Sequence, residues 1–67
     1  MRWRSTSTGP GGRHYLIWTD QTTGFYLEVY EGDRCTHDYH LDSLEVAMSF
    51  AWERFGVLKD SWRATDS

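Results

Sequence analysis

The stretch FYLEVYEGDRCTHDYHL, residues 25–41, contains two runs of strand length on either side of the turn-forming pair Gly32-Asp33. The register between them decides which side chains build a core. Aromatic and β-branched residues favour strands, and side chains alternate between the two faces. Phe25, Leu27 and Val29 therefore share one face of the first run, and Tyr26, Glu28 and Tyr30 share the other. A two-residue loop at Gly32-Asp33 sets Leu27 opposite Asp38 and Tyr26 opposite Tyr39. A three-residue loop, 32–34, instead sets Phe25, Leu27 and Val29 opposite Leu41, Tyr39 and His37, which makes the apolar face continuous. The second register is favoured because Asp38 buried without a partner costs several kcal/mol. It asks Arg34 for an unfavourable left-handed conformation.

Working outward, RHYLIWT (13–19) is a further run of strand length, joined to the first by DQTTG, whose Asp, Thr and Gly suit a hairpin loop. Three successive strands with short connections make an antiparallel meander. A helix follows in HLDSLEVAMSFAWERFGV, residues 40–57. Asp42 is the expected N-cap, Glu45 three residues later completes a capping box, and Leu41 staples onto Val46. Gly56 suits the left-handed position past the end, with Val57 touching Trp52. At 100° per residue, Leu44, Met48, Ala51 and Phe55 form a stripe flanked by Ala47 and Trp52, which packs on the sheet. Val46 and Phe50 fall on the opposite side, among Glu45, Ser49 and Glu53. The expectation is a β-β-β-α domain of the α+β class over residues 13–67, preceded by a flexible segment, 1–12, in which STSTGPGG (5–12) has no packing role. Trp62, in an otherwise polar tail, folds back as a lid over one end of the core.

With 67 residues the chain is one domain, near the lower limit of independent folding, where roughly 60% of the unfolded surface can be buried. An enzyme cleft would compete with the core for the same few bulky side chains. Cys35 is the only cysteine, so an internal disulfide framework is ruled out and a reducing compartment is indicated. The start, MRWRSTSTGPGG, has arginines but no apolar run behind them, and nothing approaches a membrane span. A cytoplasmic protein is expected. The net charge of −3 is uneven: residues 1–18 carry Arg2, Arg4 and Arg13 with no acid, while residues 19–67 carry ten acids against four bases. An acidic body repels phosphate backbones and favours basic protein partners.

Cys35, His37 and His40 form a Cys-x-His-x-x-His cluster. Strand alternation puts Cys35 and His37 on one face and His40 on the other, so the three do not converge without a bulge, and a fourth ligand has to come from His14 or Asp38. No metal and no cofactor are expected. Cys35 and His37 also make a paper nucleophile and base pair, but no oxyanion loop accompanies them and no catalysis is expected. Asp38 and His40 read as a surface pair. RWR at 2–4 suits base stacking and phosphate contact.

Two surfaces remain for a partner. One is the sheet face with Tyr26, Glu28 and Tyr30, beside His14 or Tyr15, since Tyr anchors protein interfaces. The other is the helix face with Val46, Phe50 and Glu53, where a homodimer through Phe50 is the simplest arrangement. The expected function is a small non-catalytic protein–protein interaction module that binds another protein or itself. The alternative is a nucleic-acid accessory protein using Arg2, Trp3, Arg4 and Arg13.

DSLEVAMSFAWERFGVLKDSW, about a third of the chain, resembles a pattern in small uncharacterised bacterial sheet-plus-helix proteins, where a Leu-Glu helix runs into Phe-Gly-Val and a Trp follows. In general character, a compact acidic domain of this size is similar to the immunity proteins that block a cognate toxin. The resemblance implies a bacterial binding protein with an immunity or regulatory role, and no particular toxin.

Overall fold

A computed structural model describes residues 1–20 and 22–65. Its elements are β1 (Arg2–Ser5), β2 (Arg13–Thr19), β3 (Phe25–Glu31), β4 (Arg34–Leu41), α1 (Leu44–Phe55) and β5 (Trp62–Ala64), with 3-10 turns at Pro10–Gly12 and Lys59–Ser61. The strands form one antiparallel sheet in the order β4-β3-β2-β1-β5. The α+β class is as expected, but the sheet has five strands where three were expected, and the meander β2-β3-β4 is only part of it. Residues 2–5, expected to lie outside the packed fold, supply a strand between β2 and β5, with Arg4 opposite both Leu16 and Arg63. Both added strands, RWRS and WRA, are short and carry arginine with no β-branched residue, so they owe their extended state to the neighbours they pair with and not to their own propensity. Trp62 does more than cover an end of the core: it is 7% exposed and opens β5.

The β3-β4 hairpin combines the two registers considered for it. Near the turn, Glu31 faces Arg34 and Tyr30 faces Cys35 around the two-residue Gly32-Asp33 loop; beyond a bulge, Val29 faces His37, Leu27 faces Tyr39 and Phe25 faces Leu41. Thr36 is the inserted residue, and its hydroxyl donates to the Val29 carbonyl at 3.2 Å. Gly32 takes the left-handed turn position at φ 67, which leaves Arg34 free to be a strand residue. The bulge lets a tight turn coexist with an apolar face.

On the helix side of the sheet lie Tyr15, Ile17, Leu27, Val29, Val57 and Trp62, with Ala47 and Ala51 of α1 buried against them. The N-cap is Ser43, whose hydroxyl accepts from the Val46 backbone N–H at 3.1 Å. Asp42 lies one residue before it, so the Leu41–Val46 staple is not formed, and Val46 is 46% exposed. The helix is also turned about its axis relative to expectation. Trp52 points out, 46% exposed, while Phe50 packs against the core with its ring 4.6 Å from that of Tyr39. Two alanines one turn apart draw the axis close to the sheet. At that distance Trp52 does not fit beside them, and the Phe50 ring fills the gap over β4 instead. Gly56 ends the helix at φ 72, its N–H bonded to the Trp52 carbonyl at 2.9 Å.

Candidate functional site: the open face of the sheet

All five strands turn half of their side chains away from α1. Among the described residues no helix or strand lies over this second face. Alternation and register together arrange it in rows that cross the strands. The first row is His40–Tyr26–Trp18–Arg2. Its rings are stacked on one another, Trp18 on Tyr26 at 4.5 Å between centroids and Tyr26 on His40 at 4.8 Å. The middle row is Asp38–Glu28–Leu16–Arg4–Arg63. The third is Cys35–Tyr30–His14, with His14 stacked on Tyr30 at 5.3 Å. Two shallow depressions, both lined by Leu16 and Tyr30, indent this face: one of about 290 Å³ lies between the aromatic rows beside Arg2, Trp18 and Glu28, and one of about 380 Å³ lies by the third row and the Gly32-Asp33 turn, beside Arg4 and His14.

Polar groups hold this surface in place. The Tyr30 hydroxyl donates to Glu28 Oε1 at 2.9 Å, which together with burial raises the Tyr30 pKa above its ordinary value. The Thr23 hydroxyl meets the Tyr26 hydroxyl at 2.9 Å, and His40 Nε2 meets the Thr23 carbonyl. Asp20 accepts from the backbone N–H groups of Thr22 and Thr23, each at 3.0 Å, and these bonds hold its carboxyl far below the usual range. These bonds tie Asp20, Thr22 and Thr23, between β2 and β3, beneath the first aromatic row.

Of the expected partner-binding residues, Tyr26, Glu28 and Tyr30 come together here. Val46, Phe50 and Glu53 are not gathered in the same way: Phe50 is engaged with Tyr39 and lies 5.4 Å beneath the Arg54 guanidinium, which leaves Val46 as the exposed apolar side chain of the three. Of the two neighbours proposed from β2, His14 joins the face and Tyr15 is core. Trp18, Leu16 and Arg63 were not expected on it. The signal for the first two was the plain alternation of RHYLIWT, whereas Arg63 depends on β5, which has no local signature.

The bulge also redistributes the Cys35, His37 and His40 cluster. Cys35 pairs with Tyr30 on the open face, in common with His40, while His37 crosses to the helix side and meets Phe55 edge-on at 6.0 Å. The expected sharing of a face by Cys35 and His37 is thus corrected, because one inserted residue reverses the alternation. Among the described residues no three His, Cys, Asp or Glu side chains are grouped to hold a metal ion. Cys35 is exposed, but partial desolvation by its neighbours, and then the carboxylates of Glu28 and Asp38, push its thiol pKa up. Arg2 and Arg4 line the open face, but Trp3 and Arg13 of the same basic set belong to the other side; Trp3 packs against Phe25 and Arg13 pairs with Glu31 at 2.9 Å over the Phe55 ring.

No helix is long and apolar enough to cross a membrane among the described residues. Compared with protein-family models, with curated proteins and with solved structures, the chain matches none.

Proposed function

We propose that this chain is a small non-catalytic protein-interaction module, of the immunity or regulatory kind suggested by its resemblance to bacterial sheet-plus-helix proteins, and that its working surface is the open face of the sheet. The observation that carries this reading is the pair of stacked aromatic rows left uncovered by the fold. Tyr, Trp and Arg are the side chains that most often anchor protein interfaces, and here they share a face with one central aliphatic residue. The helix surface offers no comparable cluster once Phe50 is packed on Tyr39.

The nucleic-acid reading keeps one supporting observation, the placement of Arg2 and Arg4 beside Trp18. Against it stand Glu28 and Asp38 in the same surface, which repel phosphates, and rings that spend their faces on one another and have few left for bases. The test compares immobilised wild type, Tyr26→Glu and Val46→Glu. The protein retained by wild type is expected also on Val46→Glu and lost on Tyr26→Glu; retention on all three refutes the open face. Saturable binding of a fluorescent single-stranded oligonucleotide, lost in Arg2→Ala/Arg4→Ala, moves the function to the second reading.

A further inference from the structure

The middle row of the open face has an internal symmetry. Read across the sheet it runs Asp38, Glu28, Leu16, Arg4, Arg63, one residue from each strand in the order β4-β3-β2-β1-β5. Two carboxylates stand on one side of Leu16 and two guanidinium groups stand at matching strand positions on the other. Charge therefore reverses about the central strand. A surface shaped for an unrelated partner has no need of this property, but one that packs on itself does.

We propose that the partner of the open face is a second copy of this chain, docked sheet on sheet about a two-fold axis that runs along β2. This deepens the reading of the open face as the working surface and rests on it. Such an axis lays β2 on the partner copy's β2, β3 on its β1 and β4 on its β5. In an isologous contact each pair occurs twice. Glu28 of each copy then faces Arg4 of the other, Asp38 faces Arg63, and Leu16 meets Leu16 at the centre. In the first row Trp18 lies against Trp18, and Tyr26 faces Arg2. Arg63 already gives its Nη1 to the carbonyls of Asp60 and Trp62, and it keeps further donors for a carboxylate.

The geometry suits a sandwich. Two twisted sheets pack with their strands within about 30° of alignment and about 10 Å apart, a gap filled by rings such as Trp18 and Tyr26. Strands about 4.8 Å apart give five of them a face on the order of 450 Å² in projection, which with corrugated side chains approaches the roughly 800 Å² per partner of a standard interface. Charged pairs in the middle of such a contact set its register more than they add affinity. A reversible dimer with dissociation in the micromolar range is the expected result. A phosphate backbone or a uniformly basic peptide, by contrast, meets like charge over half of the row.

The experiment is sedimentation equilibrium on the full chain from roughly 1 µM to roughly 1 mM, with wild type, Glu28→Arg, Arg4→Glu, the double variant Arg4→Glu/Glu28→Arg, and Val46→Glu. Far-UV circular dichroism checks that each is folded. Wild type and Val46→Glu are expected to dimerise. Glu28→Arg and Arg4→Glu each place like charges face to face and are expected to weaken the dimer at least tenfold. An equimolar mixture of those two restores complementarity and recovers the dimer, as does the double variant, which exchanges the charges. Weakening without recovery in the mixture overturns the two-fold arrangement. A wild type that stays monomeric throughout overturns the second copy as partner, while the open face then stands or falls on the Tyr26→Glu comparison alone. A dimer broken by Val46→Glu and indifferent to the charge reversals overturns both.

Discussion

Gly24 is the residue that the loop beneath the aromatic row can least replace. Its φ is 109, and a Cβ built on it would lie 2.7 Å from His40 Nε2 and 2.9 Å from the Leu41 carbonyl oxygen. Gly24→Ala therefore meets both a disfavoured backbone conformation and fixed neighbours, and should lower stability by about 2–3 kcal/mol, read as a fall in the urea midpoint. Cys35 illustrates a different constraint on a single side chain. Since partial desolvation and the Glu28 and Asp38 carboxylates raise the pKa of this exposed thiol, its reactive thiolate is scarcer at neutral pH than in an unfolded peptide. Alkylation by iodoacetamide at pH 7 should be slower than for an unstructured cysteine, and Glu28→Gln should speed it. At this scale the sequence was a partial guide: alternation placed Tyr26, Glu28 and Tyr30 correctly, but the fate of Cys35 and His37 turned on the single extra residue, Thr36, and bulges leave little trace in composition.

At the scale of elements, the start of α1 distinguishes two adjacent capping candidates. Ser43 makes the bond to the Val46 N–H, so Ser43→Ala should cost about 1 kcal/mol in thermal or chemical unfolding, and Asp42→Ala distinctly less. Both residues have capping chemistry, which is why the sequence named the helix but misplaced its first residue by one. Turning the axis then brought Phe50 inward, a packing outcome decided by which rings fit over Ala47 and Ala51 and not by hydrophobic periodicity. The β2-β3 loop adds a pH dependence. The Asp20 carboxyl is depressed when folded by its bonds to Thr22 and Thr23, so its stabilising contribution is complete above the ordinary carboxylate pKa of about 3.9 and is lost as pH falls below that value toward the folded one. The stability difference between wild type and Asp20→Asn, measured by denaturant unfolding, should be largest at pH 5–7 and shrink steadily below about pH 4.

For the whole molecule, the decisive contact is the one between the two ends of the described chain, where β1 meets β5. Trp62, 7% exposed, fills the core beneath that junction. Trp62→Ala should cost about 3–5 kcal/mol, comparable with all the stability that a domain of this size is expected to hold. Loss of the far-UV signal or of cooperative melting at 25 °C is the expected outcome. Neither end strand could be read from RWRS or WRA alone, because each is extended only in the presence of the other and of β2. Beside them, Ser5 and Ser61 hydroxyls meet at 2.7 Å across 56 residues of sequence, and the Thr6 N–H reaches the Ser61 carbonyl at 2.9 Å. Ser61 also donates to the Leu58 carbonyl while Ser5 accepts from the Ser7 N–H, so a single chain of hydrogen bonds is satisfied when Ser5 donates to Ser61. Such a junction makes the order of events in folding predictable. The meander β2-β3-β4 and the helix can assemble from neighbouring contacts, but the seam between β1 and β5 must close a loop spanning most of the chain before its contacts offset the lost entropy. The sheet is therefore completed last and opened first, and the amides of β1 and β5 should exchange with solvent deuterium ahead of those of β2 and β3, although β1 lies between two neighbouring strands.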